Sequence, residues 1–139
     1  MSSEVGKAIR TGTQPCFDRL VIELQPGPNP IPSGMPGYQV RYVDPASVVL
    51  DPSGLPVTIK GNAVVLVSLG VWMVTMEGFG YQGPRDIFPT NVTVIKELRL
   101  TENNEGQCTW AVGLDAVRNF SIMHLSSPDR LVIDFQTAP

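Results

Sequence analysis

The stretch Gln107-Cys108-Thr109-Trp110-Ala111-Val112-Gly113-Leu114 decides the fold class of this 139-residue chain. Cys108, Trp110, Val112 and Leu114 fall on one side of an extended backbone; Gln107, Thr109, Ala111 and Gly113 fall on the other. Side chains of a strand alternate between two faces, so this period of two marks a strand set against a core. The same reading spreads outward. Residues 17–24 put Asp18, Leu20, Ile22 and Leu24 on one face, and 38–43 alternate Tyr38, Val40 and Tyr42 with Gln39, Arg41 and Val43. Residues 63–69 are apolar on both faces, as a central strand covered on both sides would be. Residues 92–100, 120–125 and 130–135 complete the set, with 102–106 as a hairpin-like turn and 56–59 as a short edge strand. No window of a dozen residues sustains helical spacing. The pattern predicts an all-β fold: an antiparallel β-sandwich or β-barrel of seven to eight short strands with little helix.

Composition agrees. Val occurs 17 times against 6 Ala and 3 Lys, and β-branched residues suit a pleated surface better than a helix. Val, Ile, Leu and Phe make up 41 residues, too apolar a set for a disordered chain. A net charge of −3 excludes a general nucleic-acid binder, which needs a basic face. Thirteen Gly and 13 Pro punctuate the chain, and eight of these 26 fall at residues 26–37, a run that reads as a stiff polyproline-like connection. The domain organisation expected is a flexible N-terminal arm at 1–15, polar and unpatterned, followed by a single β domain over 16–137. The longest apolar run, 63–76, is too short and too interrupted to cross a membrane as a helix.

No constellation for catalysis stands out. A thiol hydrolase needs a thiolate beside a histidine, and the chain offers His124 with Cys16 or Cys108. Cys108 points inward beside Trp110, where burial raises its pKa and quenches it. Among Asp18, Glu23, Asp115, Asp129 and Asp134 no spacing singles out an acid–base pair. Asp18 opens an otherwise apolar face, and an arginine partner is expected for it. Phosphate-loop, serine-elbow and metal-ligand spacings are absent from the sequence, so neither a metal nor another cofactor is expected. Cys16 and Cys108 form an even pair, and the alternatives are a disulfide between them or two free thiols. For ligand contacts, Tyr38, Arg41, Tyr42, Tyr81 and Arg85 supply the aromatic and guanidinium groups used on sugars and carboxylates. Trp72 could serve in the same way, and each of the rings could equally be packing.

The C-terminal half contains Trp110-Ala-Val-Gly-Leu-Asp115, Phe120-Ser-Ile-Met-His-Leu125 and Ser127-Pro-Asp-Arg-Leu-Val-Ile-Asp134-Phe135. This close resembles the end of AMIN domains, non-catalytic envelope modules found beside bacterial cell-wall amidases and secretins. Phe17-Asp-Arg-Leu-Val-Ile-Glu23, Pro36-Gly-Tyr-Gln-Val-Arg-Tyr-Val43 and Tyr81-Gln-Gly-Pro-Arg85 resemble the AMIN-like β-barrel proteins of actinobacteria. The resemblance implies a non-catalytic domain of the bacterial cell envelope, secreted or lipid-anchored as a lipoprotein. It implies binding to peptidoglycan or another cell-wall glycan, or to an envelope protein partner. A small-molecule-carrying β-barrel is the alternative function. The N-terminus shows no apolar signal region, so an exported location supposes a removed signal, and a cytoplasmic one is the alternative.

Overall fold

The computed structural model describes residues 3–28 and 35–138. Within these, nine strands run in chain order: β1 (Glu4–Gln14), β2 (Phe17–Pro26), β3 (Tyr38–Val43), β4 (Ala63–Leu69), β5 (Asp86–Ile87), β6 (Ile95–Asn104), β7 (Gln107–Leu114), β8 (Phe120–Leu125) and β9 (Arg130–Gln136). A single 3-10 turn, Pro45–Ser47, is the helical content of the described residues. The strands form two antiparallel sheets, ordered β1-β2-β9-β8 and β3-β4-β7-β6-β5. Every strand expected from the sequence is present except 56–59, which is reduced to a single bridge between Val49 and Pro56, and β1 and β5 are additional to that set.

The two sheets stack as a sandwich and do not close into a barrel. Leu20, Ile22, Leu131, Ile133 and Phe135 face inward from the first sheet. Val65, Val67, Leu98, Trp110 and Val112 meet them from the second, and all ten are essentially inaccessible to water. Trp110 stacks edge-on with Tyr81 at 5.8 Å between ring centroids. An interior filled by side chains leaves the carrier-barrel alternative without support.

The polar stretch expected to be a flexible arm is instead β1, eleven residues long and laddered onto β2. Two features hide it in the sequence. A ladder needs backbone groups rather than apolar side chains, and a bulge between Gly6 and Ala8 breaks the period of two. β1 also ties the sheets together along their common side. The Gly6 N–H donates to the Trp72 carbonyl (3.0 Å), and Asn91 Nδ2 donates to the Thr11 carbonyl (2.6 Å). At its start, burial and a hydrogen bond to the Asp129 carboxyl raise Glu4 from 4.5 to about 7. A carboxyl with a raised folded pKa stabilises the fold fully below its unfolded pKa, and that contribution is lost as pH rises through the folded value. Urea unfolding is therefore expected to show this contribution fading between about pH 5 and pH 8, and Glu4→Gln to flatten that part of the profile.

Turn chemistry explains the hairpins. Glu105 and Gly106 both take positive φ, 52° and 75°, the twist that matches a two-residue β6–β7 connection. The expected turn at 102–106 thus shrinks to two residues, and Glu102 remains in the strand. Of the proline-rich connection, residues 29–34 lie outside the described residues.

Asp18 is fully buried, and its partners are not an arginine, as expected from the sequence. Its carboxylate accepts the backbone N–H groups of Thr93 (2.8 Å), Val94 (2.5 Å) and Ile95 (3.1 Å). An acid at the end of an apolar strand face is thereby matched to three amides from the other sheet. It anchors β2 to the start of β6.

Candidate functional site

A second layer lies on the outer face of the β3–β7 sheet. Asp44 caps the 3-10 turn by accepting the Ala46 N–H at 2.9 Å, and the chain then crosses the sheet. Val48 and Ile59 bury against Val64 and Ala111, forming a small outer core. Further along, Glu97 accepts the Lys60 N–H at 2.7 Å. Burial, with the nearby Asp86 carboxyl, raises the pKa of Glu97. This layer covers only part of the sheet, and the uncovered remainder forms an open groove of about 600 Å3.

The groove floor is set by strand register. Gln39 lies opposite Ser68, Ser68 opposite Thr109, and Thr109 opposite Glu102, so four polar residues form one row across β3, β4, β7 and β6. Three of them are linked: Ser68 Oγ and Thr109 Oγ1 are 2.9 Å apart, and Thr109 Oγ1 donates to Glu102 Oε1 at 2.9 Å. Gln107 Nε2 donates to the same oxygen at 3.0 Å. Tyr38 and Arg41 stand at the β3 side, and Val49 and Asp51 form the opposite wall from the covering layer. The result is a shallow trough of hydroxyl, amide and carboxylate groups, with one guanidinium at its rim. It can donate and accept hydrogen bonds at intervals of about 4.8 Å, the strand spacing.

The sequence candidates separate here. Arg41 reaches the groove, and Tyr38 borders it at the start of β3 with its ring on the opposite face of the strand, beside Val40 and Tyr42. Tyr42 packs against the core, and its hydroxyl is satisfied by the Arg118 N–H (2.7 Å) and carbonyl (2.5 Å). Tyr81 is buried, with its hydroxyl donating to the Pro84 carbonyl at 2.6 Å. Trp72 is half-buried beside β1, and Arg85 is exposed on the loop before β5, away from the groove. Gln39, Ser68, Glu102 and Thr109 were not picked out in the sequence. Ser68 interrupting an apolar run and Thr109 on the outward face of β7 were the available signals.

The thiols and carboxylates do not assemble into chemistry. Cys16 and Cys108 are free, which overturns the disulfide between them. Cys108 sits in the core on β7, whereas Cys16 is exposed on the β1–β2 turn. Burial pushes the Cys108 thiol up to about 12, and His124 is exposed on β8 in the other sheet. Three of the acids considered are held in ion pairs: Glu23 with Arg10 (2.7 Å), Asp115 with Arg118 (2.8 Å) and Asp134 with Arg19 (2.8 Å). Arg10 and Arg118 hold Glu23 and Asp115 below their ordinary range. Among the described residues no cluster of His, Cys, Asp and Glu has the makings of a metal site.

Fold and groove together define a β-sandwich with an open polar surface, a binding module in architecture. The AMIN-like domain model matches residues 4–137, and the chain belongs to the AMIN-like family. It is thus a non-catalytic domain of the cell envelope. The match includes β1, which the sequence reading had set outside the domain. No curated protein and no solved structure matches the chain significantly. Among the described residues no helix is long and apolar enough to cross a membrane.

Proposed function

We propose that this domain, exported and resident in the envelope, binds a cell-wall glycan in the groove on the outer face of the β3–β7 sheet. The observation that carries this reading is the polar row Gln39–Ser68–Thr109–Glu102, whose last three members are hydrogen-bonded to one another. A saccharide strand presents hydroxyl groups at regular intervals along an extended chain. A row of donors and acceptors repeating at about 4.8 Å can follow such a ligand without enclosing it. Gln39 and Arg41 project from β3 on the groove side, whereas the Tyr38 ring lies on the opposite face with Val40 and Tyr42. Arg41 has no ion-pair partner among the described residues, so its guanidinium is available to a carboxylate borne by the glycan or its peptide.

Both Gln39 and Arg41 are exposed on the outward side of β3, so their removal should leave the core intact. Co-sedimentation with purified peptidoglycan is expected to retain the wild-type chain. The double substitution Gln39→Ala with Arg41→Ala is expected to weaken retention by about tenfold, the effect of losing about 1.4 kcal/mol. Wild-type protein that stays in the supernatant, under conditions that retain a known binder, refutes the glycan reading.

A further inference from the structure

We infer that the free edge of β8 pairs with β8 of a second copy, joining two four-stranded sheets into one of eight strands.

The four sheet edges are not alike. β1 carries Lys7 and Arg10, holds a bulge, and is already bridged by Trp72 and Asn91. β5 has two residues, with Pro84 and Pro89 close on either side. β3 is preceded by Pro36 and carries Arg41. β8 has none of these devices. Its six residues, Phe120–Leu125, contain no proline, lysine, arginine or carboxylate, and its register with β9 is unbroken. Soluble proteins normally blunt an edge of this length, because an open row of N–H and C=O groups templates another strand.

Which groups are open follows from the ladder. The Gln136 N–H donates to the Asn119 carbonyl, and antiparallel pairs alternate between bonded and non-bonded. Ser121, Met123 and Leu125 therefore bond to β9, and Phe120, Ile122 and His124 turn their N–H and C=O groups outward. Two such edges satisfy each other in one symmetric register. Ile122 faces Ile122 of the second copy, and each Phe120 faces a His124, which is the self-complementary arrangement of a two-fold interface. Inward-facing Ile122, 36% exposed in the single chain, then gains an apolar neighbour. Charge favours a second copy over a basic or acidic partner. The strand carries no Lys, Arg, Asp or Glu, so two copies of it meet without like charges opposed, and it offers no charge to a basic or acidic partner.

The test is oligomeric state combined with site-specific crosslinking in the full chain carrying Cys16→Ser. Sedimentation at rising concentration is expected to show dimer for this parent chain and monomer for Ile122→Lys, with unchanged circular dichroism. Opposed residues of a bonded antiparallel pair lie about 5.5 Å apart at Cα, within disulfide reach, whereas Ser121 would face Met123 and lie beyond about 7 Å from its own counterpart. Ile122→Cys is therefore expected to crosslink at least tenfold faster than Ser121→Cys. A parent chain that stays monomeric to millimolar concentration, or equal crosslinking at the two positions, overturns the proposal.

Discussion

Asp18→Ala is expected to cost about 4 kcal/mol of folding stability, a large share of the roughly 5–15 kcal/mol typical of a domain. The carboxylate is wholly buried and accepts three consecutive amides from the segment that starts β6. Removing it leaves those N–H groups without acceptors, at about 1–3 kcal/mol for each one kept from water. It also releases the tie between β2 in one sheet and β6 in the other. Asp18→Asn keeps one acceptor oxygen but turns an NH2 group toward donors, so it should fall between Ala and wild type. Urea unfolding monitored by Trp fluorescence measures both. A loss under about 1 kcal/mol for Asp18→Ala would show that water replaces the carboxylate readily.

Gly113→Ala is expected to cost about 3 kcal/mol and to weaken glycan retention as well. Gly113 lies on the outward face of β7, beneath the layer that crosses the sheet. A Cβ there would run into the Lys60 carbonyl oxygen and come within 2.8 Å of Ile59 Cγ2. Because the clash is with backbone, no rotamer change relieves it, and the covering layer must lift. Lifting it strains the Lys60–Glu97 hydrogen bond and moves Val49 and Asp51, which form one wall of the groove. Unfolding measurements should show the stability loss, and amide exchange should quicken first at residues 48–60. Gly12→Ala is the control. Gly12 lies on β1 with open space at its Cβ, and a loss of under about 1 kcal/mol is expected.

Much of the fold could be read because a half-buried strand must alternate. β3 and β7 begin and end where their alternation does, and β4 spans the apolar run 63–69. The readings that failed share a different cause, since long-range contacts outweighed the local pattern. β1 carries few apolar side chains and a bulge, and it exists because β2 offers a complementary ladder. Residues 56–59 look like a strand by composition, yet they serve as cover for one, with Ile59 buried on Ala111. Cys16 and Cys108 are an even pair in the sequence, but one lies on a turn and the other in the core.

The groove was legible only in part. Arg41 was visible by residue type, since guanidinium groups are a usual tool for carboxylates, whereas Tyr38 borders the groove but turns its ring to the other face. Tyr42 and Tyr81 have the same chemistry, and they are packing residues because the backbone groups of Arg118 and Pro84 take their hydroxyls. Gln39, Ser68, Thr109 and Glu102 are individually ordinary polar residues, spaced far apart along the chain.

By itself, the sequence determined the fold class, the inward faces of most strands and membership of the AMIN-like family. These rest on local periodicity and on motifs that survive without knowledge of neighbours. Tertiary structure alone decided the rest: strands β1 and β5, the partners of Asp18, the four-residue polar row and the unprotected edge of β8. The physical reason is common to all four. Each depends on which strand lies beside which and in what register, and hydrogen bonding across strands leaves little trace in the order of residues along one of them.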